Sequence, residues 1–230
     1  MKKYVSSFRL FFGRCSLTSM VTFLTTIAVI IVVVAVLEVF AAGGDFITGM
    51  KDGMSVMLAG VVPTTGIIFL STVYTYANPA TPGHKYYVSV PDSAEHFRRA
   101  IIAANLFSLA LGALLIAVMN LIFLPMRVGG GMAFYGFVLM LAVMGLCNFT
   151  GYIKNTAARI AVITSTMCFT GFIAGFLGAD VDDEDSFSAL IMDNPWLPWA
   201  VLGTAALVFA GGFVYSVAVS RNKWESGGKS

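Results

Sequence analysis

Charged residues are scarce in this chain. They make up 11% of its 230 residues, whereas 58% are hydrophobic, and a typical soluble domain carries about 25% charged residues. The mean hydropathy of +0.85 agrees with this imbalance. The composition excludes an ordinary soluble domain and predicts one unit embedded in a membrane.

Cysteine and histidine are almost absent, at three and two residues. They form no CxxC motif and no Cys/His cluster, so neither a zinc centre nor a disulfide framework is expected. The acidic run DVDDED at 180–185 lacks the glycine-containing spacing of an EF-hand loop, which favours a solvated acidic surface over a calcium site. We therefore predict no metal on this chain.

Catalytic and nucleotide-binding motifs are missing as well. The sequence has no HExxH, no paired acids inside an apolar stretch and no Ser/His constellation, which argues against a membrane-embedded enzyme. It has no GxxxxGK[ST] loop to hold nucleotide phosphates. The long apolar stretches contain almost no ionisable residue, so an ion-coupled transporter would lack groups for a relay. We expect no enzymatic activity, no cofactor on this chain and no nucleic-acid partner.

Long apolar runs dominate the sequence instead. A bilayer core about 30 Å thick requires about 20 apolar residues in a helix. The first run is far longer than the apolar region of a signal peptide. The sequence predicts an all-α, polytopic membrane protein with six transmembrane helices in a single permease domain over 1–230. The six predicted spans are 17–42, 54–77, 100–124, 132–153, 160–179 and 196–220.

Loop charges orient these spans. Only Lys51 and Arg127 fall on one side of the predicted membrane, so 12 of the 14 basic residues lie on the other. Basic loops remain in the cytoplasm, which places both termini there. Trp196 and Trp199 then anchor the last span at the outer surface, and Trp224 anchors it at the inner surface.

The first 15 residues, MKKYVSSFRLFFGRC, combine aromatic and basic side chains. Val5, Phe8, Phe12 and Cys15 recur at helical spacing, with basic residues among them. This pattern favours an amphipathic helix in the inner membrane interface over a disordered basic tail.

The segment KYYVSVPDSAEHFRRA, residues 85–100, is short and charge-dense. Asp92 follows a proline and stands three residues before Glu95, a spacing typical of the capping box that begins a helix. Phe97 and Ile101 then fall on one apolar face. We expect an extended KYYVSVP approach and a short cytoplasmic helix that runs into the third span or turns sharply before it. A simple helix start with arginines reaching toward the membrane edge explains the same charges without a partner.

Uncharged polar residues and glycines lie inside the predicted spans. Both kinds of residue are common where transmembrane helices pack, and glycine is also frequent in such helices without any special role. The candidates for a substrate pathway are Asn105, Ser108 and Asn120. The candidates for a helix-packing or dimer face are Gly171, Gly175 and Gly178.

In their order along the chain, these parts resemble the permease subunits of ABC-2-type exporters. The shared order is an amphipathic inner helix, six spans with both ends inside, a cytoplasmic loop after the second span, and a short polar excursion, DVDDEDSFSALIMDNPWLPW, before the last span. In that family the cytoplasmic loop docks onto an ATPase subunit. The resemblance assigns the ATPase-coupling contact to Tyr86, Tyr87, Pro91, Asp92, Glu95, Phe97 and Arg98.

The resemblance implies ATP-driven export by alternating access in a dimer of six-span halves, identical or different, with ATP held by a separate ATPase chain. A peptide, a lipid-like compound or a drug-like compound would each suit an uncharged pathway. The expected location is the plasma membrane of a bacterium, crossed several times. The alternatives are a structural or assembly membrane protein whose loop binds another partner, and an ion-coupled secondary transporter.

Overall fold

The protein is described here by a computed structural model. It describes residues 2–12, 62–63, 66–78, 81, 83–123, 130–153, 155, 157–158, 161–162, 164–166, 168, 194 and 196–227, and the single residues 25, 29, 33, 36 and 40. Within these ranges all regular secondary structure is helical and no strand occurs, which confirms the predicted all-α class.

The helices with defined bounds follow the chain in the order α1 (Lys2–Phe12), α2 (Gly66–Tyr76), α3 (His84–Ser89), α4 (Ser93–Phe123), α5 (Gly130–Thr150) and α6 (Leu197–Gly227). Long apolar sequences without an interior proline account for α4 to α6, because an apolar helix satisfies its internal backbone groups within the segment.

Two of these helices are long and apolar enough to cross a membrane. They are the Ser93–Val118 part of α4 and the Leu197–Trp224 part of α6. Shorter apolar helices cover Gly66–Tyr76 and Gly136–Thr150. Most of the predicted first and fifth spans lies outside the described residues.

The two long helices carry apolar side chains on their outward faces. On α4, Leu106, Leu114 and Leu121 are 60%, 58% and 77% exposed, at the spacing of a single helix face. On α6, Leu207 and Val214 are exposed in the same way. A helix that is apolar on its exposed face as well as its buried one is typical of a lipid environment.

Helix α5 packs closely on α6 through two glycines. A Cβ atom on Gly145 would lie 2.6 Å from the carbonyl oxygen of Val208, and one on Gly212 would collide with the carbonyl oxygen of Gly145. The backbones can approach this closely only because both positions lack a side chain. The packing face that the sequence assigned to Gly171, Gly175 and Gly178 lies outside the described residues.

Helix α1 confirms the predicted amphipathic helix. Of the predicted apolar residues, Phe8 is half-buried against the core and Val5 is 47% exposed, while the side chains of Phe12 and Cys15 lie outside the described residues. Ser7 and Phe11, which the pattern did not include, are 0% and 2% exposed. Phe11 lies among aromatic rings of other helices, and these contacts fix the rotation of α1.

Two further expectations are corrected by the fold. The segment predicted as an extended approach is the helix α3, in which His84, Tyr87 and Val88 turn inward at helical spacing while Tyr86 points outward. Trp224, predicted as an interfacial anchor, is 1% exposed. Its ring stacks on that of Phe97 in α4, with centroids 4.6 Å apart, and this contact buries it.

Candidate functional site

The corner formed by α3, the turn after it and the start of α4 (residues 83–99) is the candidate site. Gly83, at φ 88, opens it, and its carbonyl oxygen accepts the N–H groups of Tyr86 and Tyr87 at 2.9 and 3.2 Å. A left-handed backbone of this kind favours glycine. In the turn between α3 and α4, the N–H of Ser93 donates to the carbonyl of Val90 at 3.1 Å.

Asp92 occupies the N-cap position that the sequence predicted. Its carbonyl oxygen accepts the N–H groups of Glu95 and His96, both at 2.9 Å. Its backbone is left-handed, at φ 55, which aspartate tolerates better than most residues. This differs from the extended backbone of a usual N-cap.

The Glu95 carboxylate binds arginines of the next turn. Its oxygens lie 3.4 Å from Nε of Arg98 and 3.2 Å from an Nη of Arg99. In the predicted capping box this carboxylate would bond the backbone at the start of the helix. In the structure its oxygens form ion pairs with the two arginines instead. Both ion pairs are partly exposed, and such pairs stabilise a helix by only about 0.3–0.5 kcal/mol each.

From Ser93 the helix continues without a break to Phe123. Of the two predicted outcomes, a helix that runs into the span or one that turns before it, the first is therefore confirmed. The predicted apolar face is also confirmed, because Phe97 and Ile101 are both 0% exposed.

The predicted coupling residues divide into an outward and an inward group. Tyr86 is 68% exposed, and Pro91, Asp92 and Arg98 are also exposed. Tyr87 is half-buried and Phe97 is fully buried. Burial, and then the nearby Tyr76, raise the pKa of Tyr87 above its usual 10.0, so its phenol remains neutral at physiological pH.

The inward group belongs to an aromatic cluster around Phe11. The Phe11 ring centroid lies 5.4 Å from Tyr87, 5.9 Å from Phe97 and 5.9 Å from Trp224. The Phe97 and Trp224 rings stack with centroids 4.6 Å apart. Tyr76 adds a ring from α2, 6.1 Å from Phe11. The cluster therefore joins α1, α2, α3, α4 and α6 behind the corner.

Hydrogen bonds fix the same arrangement. The indole Nε1–H of Trp224 donates to Oγ of Ser93 at 2.9 Å, and that hydroxyl donates to the carbonyl of Val88 at 3.2 Å. The Nδ1–H of His84 donates to the carbonyl of Tyr76 at 2.7 Å. These bonds connect the two ends of α3 to α2, α4 and α6.

A second hydrogen bond system ties α1 to the corner. Oγ of Ser7 donates to the carbonyl of Lys3 at 2.8 Å, and it also lies 2.8 Å from Nδ1 of His96, with which it shares a hydrogen bond. Together with Phe11, this bond holds α1 in one rotation against α4.

A buried network of uncharged polar side chains lies deeper in the bundle. The amides of Asn105 and Asn148 bond reciprocally at 2.8 and 3.3 Å, and Oδ1 of Asn148 also accepts the hydroxyl of Tyr74 at 2.8 Å. The Tyr74 hydroxyl bonds Ser216, whose carbonyl accepts the hydroxyl of Tyr152 at 2.7 Å. The network joins α2, α4, α5 and α6.

The predicted pathway residues stand in different relations to this network. Asn105 is a member, at 1% exposure. Ser108 is fully buried, and its hydroxyl has no hydrogen bond partner among the described residues. The side chain of Asn120 lies outside the described residues. Asn105 and Ser108 are therefore both enclosed by the surrounding helices.

Sequence reasoning missed most of what supports the corner. Phe11 and Trp224 were visible only as aromatics near the two ends of the chain, and no local spacing relates them. Ser216 has no sequence signal of its own. Asn148 has one, because an asparagine inside an apolar stretch indicates polar packing between helices.

Comparisons with protein-family models, with curated proteins and with solved structures each find no match for this chain. Its function must therefore be argued from its own residues and their geometry.

Proposed function

We propose that this chain is the transmembrane subunit of an ATP-driven exporter of the ABC-2 type, and that the corner at 83–99 receives the push of a separate ATPase subunit. The proposal includes six spans with both termini in the cytoplasm of a bacterial cell, and a dimer with an identical or different permease. ATP binds only to the partner subunit.

One observation carries this proposal. The corner exposes Tyr86, Asp92 and Arg98 at its surface, while Tyr87 and Phe97 root it in an aromatic cluster shared by five helices. An exposed tyrosine beside charged residues is typical of an interaction surface. Because the corner is packed against these helices, a force on its exposed residues moves the helices with it.

Helix α4 connects the corner to the interior of the bundle. It has 31 residues and, at 1.5 Å per residue, a length of about 46 Å, which exceeds the bilayer core. Because the helix begins within the corner and is continuous, a shift of the corner tilts the part of α4 that carries Asn105 and Ser108. Nucleotide would drive this shift if the ATPase binds the two conformations with different affinity.

The uncharged network supports the choice of transport class. Among the described residues the buried polar side chains are serines, asparagines and a histidine, with no buried carboxylate, lysine or arginine. Ion-coupled transport normally depends on such groups. An uncharged lining suits a peptide, a lipid-like compound or a drug-like compound.

The test is co-purification of the tagged full chain from its native host, followed by identification of the bound proteins. We expect an ATPase subunit with the wild-type chain and at least about tenfold less of it with Tyr86→Ala, because truncation of an exposed interface tyrosine removes much of the contact energy. Phe97→Ala is a poor test because Phe97 is buried, and its loss would disturb the fold.

Tyr4→Ala is the matched control, since Tyr4 is also an exposed tyrosine, 42% exposed on α1. It should leave the ATPase yield unchanged. A stable oligomer without any ATPase would contradict the exporter and favour a structural or assembly protein. Equal loss with Tyr4→Ala and Tyr86→Ala would remove the corner as the docking surface.

A further inference from the structure

His84, the second residue of the corner, is a buried titratable side chain with one unused ring nitrogen. It is 3% exposed. Its Nδ1–H donates to the carbonyl oxygen of Tyr76 at 2.7 Å, since a carbonyl oxygen can only accept. Its Nε2 atom is buried and has no hydrogen bond partner within the described part of the chain. Most buried polar atoms of native proteins are bonded, so this one needs an explanation.

These contacts fit a neutral imidazole. With the proton on Nδ1, the Nε2 atom of the neutral ring is an acceptor only. Protonation would place an N–H donor and a positive charge at Nε2, where no acceptor lies among the described residues. Burial of an unpaired charge is far more costly than burial of a neutral ring. The packed position of His84 therefore suits the neutral ring and not the charged one.

The His84 ring is held by two other helices. Helix α2 supplies the carbonyl of Tyr76, and α6 supplies the indole of Trp224, whose ring centroid lies 5.4 Å from that of His84. The titratable and charged residues that α2, α3 and α6 carry around this contact are tyrosines and cations, namely Tyr74, Tyr76, Lys85, Tyr86, Tyr87, Arg221 and Lys223, together with Glu225, whose side chain lies outside the described residues. At the start of α4, Glu95 pairs with arginines and Asp92 is exposed.

We propose that His84 is a pH-sensitive latch, which holds the corner against α2 and α6 while its imidazole is neutral and releases the corner when it is protonated. In the released state α3 moves away from Tyr76 and Trp224, and the charged ring reaches water. The released state binds one more proton than the packed state, so a fall in pH favours release. Imidazoles gain this proton between about pH 8 and pH 5. The inference concerns the corner alone and does not depend on the exporter function.

Trp224 reports the state of the latch, because it contacts His84 and is 1% exposed. The chain has three tryptophans, so Trp196→Phe/Trp199→Phe leaves Trp224 as the single fluorophore. The full chain is measured in mild detergent, and acrylamide quenching of its fluorescence is followed from about pH 8 to about pH 5.5, above the range in which most carboxylates titrate. We expect the quenching constant to rise at least about twofold, and reversibly, because local opening admits water to Trp224.

Two uncharged variants, made in the same single-tryptophan chain, separate charge from packing. The amide of His84→Asn can donate to the Tyr76 carbonyl as Nδ1–H does, but it gains no proton in this range. We expect a low quenching constant that is the same at both ends of the range, and likewise for His84→Gln. The matched control is His96→Asn, because the chain has two histidines and His96 contacts Ser7 of α1 instead. It should retain the full rise.

A second measurement needs no substitution. Hydrogen–deuterium exchange of the α3 amides in the wild-type chain, corrected for the intrinsic effect of pH, should accelerate at the acidic end of the range relative to the amides of α5. The unfolding midpoint at the alkaline end reports whether each variant folds.

Three results would overturn the latch. The first is a quenching constant of Trp224 that does not change with pH. The second is a rise that persists in both His84 variants, and its disappearance with His96→Asn would assign it to the contact between α1 and α4. The third is α3 exchange that follows that of α5 at every pH. Absence of a co-purified ATPase bears on the exporter proposal alone and leaves these measurements unaffected.

Discussion

The Asn105–Asn148 amide pair shows how single residues hold this bundle together. Each amide satisfies the other, and Tyr74 uses the remaining capacity of the Asn148 oxygen. In an apolar interior the alternative for each group is an unpaired donor or acceptor, which costs about 1–3 kcal/mol. The pair therefore specifies the depth at which α4 meets α5.

Removal of either amide should destabilise the protein by about 1–3 kcal/mol. Asn105→Ala, Asn148→Ala and the double variant form a cycle, for which we expect a coupling energy of about 0.5–1.7 kcal/mol. Reversible unfolding in mixed detergent measures it. Additive effects would mean that the two amides contribute independently.

Ser108→Ala is the matched control for the amide variants. Ser108 is as deeply buried, but its hydroxyl has no partner among the described residues, so its removal should be neutral or stabilising. If Ser108 also contacts substrate in an opened state, the same variant should change transport without lowering stability.

At the scale of elements, the α5–α6 contact depends on the absence of side chains. Gly145→Ala and Gly212→Ala each force a methyl group into the backbone of the facing helix. Overpacking of this kind costs about 1–3 kcal/mol or more. Thermal unfolding should show a clear loss for both variants.

Gly203 provides the control on the same helix. A Cβ atom there meets no described atom within 4 Å, and alanine is the better helix former by up to about 1 kcal/mol. Gly203→Ala should therefore retain or raise the unfolding midpoint. A loss as large as that of Gly212→Ala would show that the destabilisation does not come from the close α5–α6 contact.

The local sequence predicted the start of α4 but not α3. Pro91 and Asp92 mark a helix start through chemistry within four residues, and Phe97 with Ile101 forms an apolar face through spacing alone. Helix α3 has six residues, too few for a periodic signal, and its tyrosines and valine favour strands in isolation. Contacts with Phe11, Tyr76 and Trp224 override that preference, and these residues come from distant parts of the chain.

At the scale of the whole molecule, contacts with distant parts of the chain also decide which face of α1 is buried, and local sequence does not show them. The sequence pattern ran through Val5, Phe8 and Phe12, and helical spacing alone does not show that Phe11 enters the core. Phe11 is buried because Tyr87, Phe97 and Trp224 surround it. These residues come together only when α1 and α6 pack on α3 and α4. Hydropathy predicted the long apolar helices α4 and α6, because apolar content is a local property of each stretch, whereas the core between the helices depends on contacts between distant residues.

The last prediction concerns the six-span topology, and the side of the membrane on which Asn155 lies tests it. If only α4 and α6 cross the membrane, everything between them lies on one side, so Asn155 shares a side with Asp183. Six spans put Asn155 in the cytoplasm beside Tyr86 and leave Asp183 outside, because the 132–153 and 160–179 stretches each cross once.

Single cysteines at Tyr86, Asn155 and Asp183, introduced after replacement of Cys15, Cys147 and Cys168 by serine or alanine, distinguish the two arrangements. Intact cells are treated with a membrane-impermeant maleimide, before and after permeabilisation. We expect Asp183→Cys to react in intact cells, and Tyr86→Cys and Asn155→Cys to react only after permeabilisation. Tyr86 and Asn155 are both exposed, so a lack of reaction in intact cells reports the side of the membrane and not burial. Reaction of Asn155→Cys in intact cells would reduce the protein to two spans and remove the inner loop that the six-span exporter requires between its fourth and fifth helices.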